Sequence, residues 1–192
     1  MKVVLPCFRE LNKSLQFKCF GYNLVGGDHL KLPTIDFSTY KYPLRFLLLG
    51  NEDTWSAFLQ VIEDLTPDQL AYKHQDYSQR TIAEMVNHAL DTQYGFYTQH
   101  VVLGNPIPEN LYKDLPKTTE EGIKRVVEVY KKTCNLWKGL NEDVFRKEIK
   151  TEWGQVLTGE LALFQSVTHT HYHLSEICFL RGLGGFPTQV MG

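Results

Sequence analysis

The sequence predicts an all-α protein: a four-helix bundle with one long crossover between its second and third helices, preceded by an irregular or short-β extension. Three observations predict it. Four stretches carry apolar residues at helical spacing. Those stretches are opened by polar caps, and the last three are closed by glycine, at Gly104, Gly139 and Gly182. The connection from Asn105 to Pro116 runs to about a dozen residues, long for antiparallel neighbours and suited to a path along a bundle.

Residues 1–45 stand apart from the rest. They are aromatic-rich, contain Pro6, Pro33 and Pro43, and show no sustained helical period. Leu15, Phe17 and Cys19 alternate with polar residues, and Gly26-Gly27-Asp28 offers a turn, which suits a short hairpin. A short helix around Phe8–Leu15 is the alternative. The expected division is 1–45 as a packed arm or cap and 46–192 as the bundle.

The first helix is read from Trp55, Phe58, Leu59, Ile62 and Leu65, with Asn51 as its cap and Glu52 and Asp53 in its first turn. Thr66-Pro67-Asp68-Gln69 opens a connecting turn. The second helix starts at the capping box Thr81-Ile82-Ala83-Glu84 and runs to about Leu103, with Ile82, Met85, Val86, Ala89, Gln93 and Phe96 as its buried face. The third starts at Thr118-Thr119-Glu120-Glu121, again a capping-box pattern. It carries the stripe Ile123, Val126, Val127, Tyr130, Cys134 and Trp137, and ends at Gly139. Residues 140–157 read as an irregular approach with a short extended piece. The fourth helix, from about Thr158 to Arg181, stops at Gly182-Leu183-Gly184-Gly185 with Pro187 beyond. It is apolar nearly all round, so it is expected to be the most buried of the four.

Composition excludes several partners. The chain has 192 residues, 43% of them hydrophobic and 22% charged, as a soluble globular domain does. A net charge of −2 and scattered lysines give no footprint for nucleic acid. No apolar run approaches the roughly 20 residues that span a bilayer, and the start is too short for a signal peptide. Cys7, Cys19, Cys134 and Cys178 form no Cys-x-x-Cys pair and read as free thiols of a reducing compartment, so the expected location is the cytoplasm.

Three histidines, at 169, 171 and 173, fall on the fourth helix. At about 100° per residue His169 and His173 share a face and Glu176 follows less than a turn later, whereas His171 points away. An i, i+4 histidine pair can present two imidazole nitrogens to one divalent ion, although two ordinary half-buried histidines have the same spacing. His88 lies on the second helix beside its apolar arc, with Glu84 one turn before it and Asp91 and Thr92 one turn after. It can converge on the pair, giving three neutral nitrogen donors and an open position, or it can be a core histidine paired with Glu84. His29 and His74 fall in loops and read as solvated. Tyr94, Tyr97 and Tyr172 read as core or pocket wall. A β-barrel hydrolase built on His169-x-His171 needs a strand there and a longer chain.

The motif Thr81-Ile82-Ala83-Glu84-Met85-Val86-Asn87-His88 resembles the "TIxELxxH" helix of the DinB/YfiT-like family. Likewise His169-x-x-x-His173-x-x-Glu176-Ile177-x-x-Leu180-Arg181-x-Leu183-Gly184 resembles that family's "HxxxHxxQIxxxLRxLG" ending, and Leu65-Thr66-Pro67-Asp68-Gln69-Leu70 its "LTPEQL" turn. The likeness covers roughly residues 46–187. It implies an up-down-down-up four-helix bundle, often a homodimer, with a divalent metal (zinc, nickel or iron) on His88, His169 and His173. It also implies a metal-dependent transferase or isomerase that uses a low-molecular-weight thiol as cosubstrate on a small electrophile. The chain departs from the family at His173-Leu174-Ser175-Glu176, where an "HRGQ" run is frequent. Glu176 is read as a hydrogen-bonding partner of His173 that orients a ligand or relays a proton, with fourth ligand or general base as the alternatives. Two rivals to the thiol transferase are a hydrolase with a metal-activated water and a non-catalytic, metal-stabilised binding protein.

Overall fold

A computed structural model describes residues 32–188. The hairpin or helix considered for the first residues, with Cys7, Cys19 and His29, lies outside the described residues. Helix α1 spans Leu44–Ile62, a short α2 spans Pro67–Leu70, and α3 spans Ile82–Leu90. From Asp91 to Val102 the chain continues α3 as a π-helical segment. Helix α4 covers Thr119–Lys138 and α5 Glu142–Arg146. Strands β1 (Glu148–Lys150) and β2 (Val156–Thr158) form an antiparallel hairpin that leads into α6, Gly159–Leu183.

Contacts at the helix ends fix the directions. Tyr42, just before α1, hydrogen-bonds Glu160 at the start of α6. At the other end the Arg181 guanidinium of α6 donates to the Val61 carbonyl and the Asp64 carboxylate. Hence α1 and α6 run parallel. Thr119, opening α4, donates to the carbonyl of Leu65, just beyond the end of α1, so α4 runs the opposite way. The pairs Arg125–Asn87 and Trp137–Thr98 show that α3 with its π segment runs parallel to α4. The order is up-down-down-up, and the long connection 103–118 carries the chain between the two parallel neighbours. The core fills with Trp55, Phe58, Leu90, Tyr130, Trp137 and Leu163, all fully buried.

Four expectations need correction. Asn51 is not a cap: α1 begins at Leu44, about two turns earlier. The core pulls in Leu47 and Leu48, and Asn51 sits fully buried inside the helix. There its amide oxygen accepts from Gln93 at 2.9 Å and its Nδ2 donates to Cys134 Sγ at 3.4 Å. The second helix is not α-helical to its end. Past Leu90 it widens to i→i+5 winding, a rare geometry that recurs at functional sites. The Thr98 hydroxyl donates to the Gln93 carbonyl five residues back at 2.8 Å. Extrapolating 100° per residue therefore mis-sets the face, and Phe96 comes out half-buried while Gly95 and Thr98 turn inward. The box at Thr118 is half-formed. Thr118 accepts from the Glu121 N–H, but the Glu121 carboxylate accepts from Lys117 N–H and binds Arg125 instead.

Finally, α6 is not the most buried helix. Leu161, Phe164, Tyr172, Phe179 and Leu183 are exposed along one side, because the other elements (α1, α3, the π segment and, at its first turns, α5 and β2) pack against the remaining sides. Its first turn is fixed by contact rather than apolarity: a Cβ at Gly159 would lie 2.0 Å from the Val144 carbonyl oxygen, so this approach to α5 requires glycine.

Candidate metal centre

Each of the three histidines is aimed by a local feature. At α3 the complete capping box engages Glu84 with the Thr81 N–H at 2.6 Å. Glu84 is thereby taken up at the helix start, which removes the core pairing with His88. Next to His88, the Asn87 amide donates to the Asp114 carbonyl and accepts from Arg125, pinning α3 to α4 and to the crossover. On α6, Thr170 faces the core between the two other histidines and donates to the Ser166 carbonyl. His169 and His173 therefore project on the side toward α3, and His171 is exposed, as the spacing requires.

The rings converge. His88 lies 4.8 Å from His173 and 5.5 Å from His169 between ring centroids, and His169 lies 4.5 Å from His173. One ring nitrogen from each can be chosen so that all lie within 4.8 Å of one another. His173 is buried and the other two are half-buried. Burial, the largest cause, pushes the His88 ring down to about 4, with the Arg80 charge and the other two rings adding to it. Burial pushes His169 down to about 4 as well, helped by His173 and opposed by Glu176. His173 is lowered by burial against the opposing pull of Glu176. All three rings are thus held neutral near pH 7, the form in which imidazole donates a lone pair.

Glu176 stands behind His173. Its Oε2 lies 2.6 Å from His173 Nδ1, and an ionised carboxylate can only accept, so the proton sits on Nδ1 and Nε2 keeps its lone pair. That Nε2 lies 3.3 Å from His169 Nε2. Two nitrogens about 2.0–2.1 Å from one tetrahedral ion stand about 3.3 Å apart, so this pair already has the spacing of two ligands. Behind His88, Nδ1 lies 3.5 Å from the Thr92 hydroxyl, at the limit of a hydrogen bond. Behind His169, Nδ1 is buried without a hydrogen-bond partner among the described residues. Three inward-facing nitrogens, one backed by a carboxylate, fit a divalent ion of borderline softness with a position left open.

The sequence profile of the DinB superfamily matches residues 51–177. The chain belongs to the DinB superfamily. No curated protein sequence matches it. Among solved structures it is similar to YfiT from Bacillus subtilis, described as a probable metal-dependent hydrolase with an unusual four-helix bundle topology. The identity there is 20%, the TM-score 0.59, and the match covers 81% of this chain and 95% of that one. It is also similar to the mycothiol-dependent maleylpyruvate isomerase, at 14% identity and a TM-score of 0.50, over 75% of this chain and 63% of that one. At such identities the likeness is one of fold.

Beside the histidines of this DinB-like bundle opens a cavity of about 370 Å³. His88 and His169 form one wall, Asp91, Phe96 and Tyr97 of the π segment another, and Ile107 to Leu111 of the crossover a third. Of the tyrosines considered from sequence, Tyr97 lines this cavity, Tyr94 packs against the core and Tyr172 is exposed. His74 is half-buried and packs at a tilt against the exposed Tyr77, 4.8 Å between ring centroids. The crossover wall was not foreseen. Its signals were the Pro106-Ile107-Pro108 stretch and Gly95, whose added Cβ would meet Pro108 Cγ at 3.0 Å. Absence of a side chain at 95 is what lets the crossover lie so close to the π segment.

Proposed function

We propose that the protein is a metal-dependent enzyme of small-molecule chemistry. His88, His169 and His173 hold one divalent ion (zinc, nickel or iron), and a low-molecular-weight thiol serves as cosubstrate in transfer to, or isomerisation of, a small electrophile. The observation that carries this reading is the convergence of three neutral ring nitrogens from two different helices on one point beside a cavity. A divalent ion there would supply the positive charge that keeps a thiol or water bound to it deprotonated at neutral pH.

The chain's own contribution is positioning. Glu176 holds the His173 ring by its Nδ1–H and keeps Nε2 facing the centre. In this reading Glu176 is a positioning residue that also raises the basicity of that ring. Tyr97, Phe96 and the crossover wall off the cavity and orient the body of the substrate. The likeness to a mycothiol-dependent isomerase supports the thiol. The likeness to YfiT supports a second reading, hydrolysis by an activated water. The reading includes a homodimer, supported by the exposed Phe46, Leu161 and Phe164 at one end of α1 and α6, where Phe46 and Phe164 stack at 5.9 Å.

The first experiment is metal analysis of the purified protein beside a His169→Ala/His173→Ala variant of verified fold. About one transition metal per chain in the parent and little in the variant is expected; retention by the variant overturns the site. Electrophile and ester assays with and without added thiol then separate the two chemistries. Turnover only with thiol supports transfer, turnover without it supports hydrolysis, and none in either leaves a metal-stabilised binding protein.

A further inference from the structure

The cavity carries more charge information than its histidines use. Two carboxylates, Asp91 and Glu109, line it, and among the described residues no lysine or arginine does. Asp91 is half-buried, and its Oδ1 accepts from the Leu111 N–H at 2.8 Å. That bond fixes the carboxylate against the crossover without neutralising it, and Asp91 has no ion-pair partner among the described residues. Burial accordingly raises its pKa. A carboxylate partly withdrawn from water without a counter-ion either takes up a proton or is stabilised by an arriving cation.

The aromatic residues give a second, independent indication. Phe96 and Tyr97 stand edge to face at 5.3 Å on the cavity wall, and Tyr97 lies 6.1 Å from the His169 ring. Trp153, at the turn of the β1–β2 hairpin, extends the row by lying 5.6 Å from Phe96. The faces of such rings are electron-rich and attract ammonium groups. Ile107 and Pro108 of the crossover add apolar surface to the lining.

We infer that this cavity takes an organic cation: a protonated amine or quaternary ammonium on a flat or apolar body, its charge toward Asp91 and its body between Tyr97 and Pro108. The inference deepens the proposed function and rests on its reading that the cavity holds the substrate of the histidine centre. It also has a consequence for the thiol. A cosubstrate whose tail is uncharged or carries an amine suits this wall, and a tail of free carboxylates does not.

Benzylamine and benzoate, alike in size and opposite in charge, are suitable probes. Calorimetric titration of the full chain after metal removal eliminates direct coordination of benzoate. Benzylamine is expected to bind at least about tenfold more tightly than benzoate. Asp91→Asn keeps an acceptor for the Leu111 N–H, and should weaken benzylamine about fivefold or more without weakening benzoate. Glu109→Gln, at an exposed position, should weaken it less. Equal or tighter binding of benzoate overturns the inference, as does indifference of benzylamine to Asp91→Asn in a folded variant. Because these measurements need no metal, they fail separately from the histidine substitutions: loss of the metal site alone leaves the cation preference in place.

Discussion

Two polar clusters share α6 and the helix formed by α3 and its π segment, and they are built on opposite rules. One is the amide network of the core. Gln93 accepts from the Trp55 indole N–H at 2.7 Å and donates to Asn51 at 2.9 Å and, more loosely, to the Thr170 hydroxyl at 3.4 Å. Asn51 continues it to Cys134, so α1, the π segment, α4 and α6 are all joined. The other is the histidine cluster, where two Nε2 atoms face each other at 3.3 Å and His169 Nδ1 has no hydrogen-bond partner among the described residues. Donors matched to acceptors hold a fold together, whereas converging ring nitrogens without a full set of partners can exchange their mutual contact for a ligand from outside. The difference separates a structural polar cluster from a site, although both are half-buried or deeper and share two helices.

The sharpest way to break the comparison is Gln93→Ala. It strands the Trp55 N–H and the Asn51 carbonyl oxygen in the core and leaves a void, at a cost of about 2–4 kcal/mol. Urea unfolding should show that loss, while the metal-loaded protein keeps one ion per chain. A variant that loses metal at unchanged stability would reverse the assignments of the two clusters.

Glu176→Gln acts on the other cluster and should do less. The amide can still accept from His173 Nδ1–H through its oxygen, but without the charge that makes the ring more basic. Metal affinity should fall about 10- to 100-fold by competition with a chromophoric chelator, with thermal stability of the metal-free protein nearly unchanged. If Glu176 were itself a ligand, coordination number as well as affinity would change, and the spectrum of a cobalt-substituted protein would report it.

How much of this the sequence could tell follows from the same contrast. His169 and His173 are legible because an α-helix fixes the geometry of i, i+4 whatever surrounds it. The third candidate ligand, His88, depends on tertiary packing, and the family resemblance, rather than spacing, singles it out. The capping box at Thr81 is local and formed as its residues suggest. Asn51 misled because a buried polar residue at the start of an apolar stretch has the same sequence signature as a cap. The π segment was illegible because nothing in Asp91–Val102 announces the wider winding, which moves every later side chain off its α-helical face. On α6, apolarity all round could not reveal that two sides meet neighbours and one does not. The cavity was hardest, since one wall comes from a crossover that only the folded bundle brings alongside Gly95.

The smallest effect is one of pH on the metal-free protein. In the unfolded chain the histidine rings titrate near their ordinary 6.5, whereas in the fold burial holds His88 and His169 down to about 4. Between those values the unfolded state binds more protons, so stability rises with pH through this window. The contribution is fully present above about pH 6.5 and is lost as pH falls toward 4. Because both rings are only half-buried and stand beside a solvent-filled cavity, the drift in melting temperature should be modest. Carboxylates elsewhere add their own slope, so the informative quantity is the difference between parent and a His88→Gln/His169→Gln variant, each stripped of metal. The variant should lose less between pH 6.5 and 4. The amide network contains no histidine, and Gln93→Ala should shift the whole curve down without changing its slope there. Parallel curves for parent and histidine variant would mean that the rings are not held neutral by the fold, and that the convergence of their lone pairs carries no strain for a ligand to relieve.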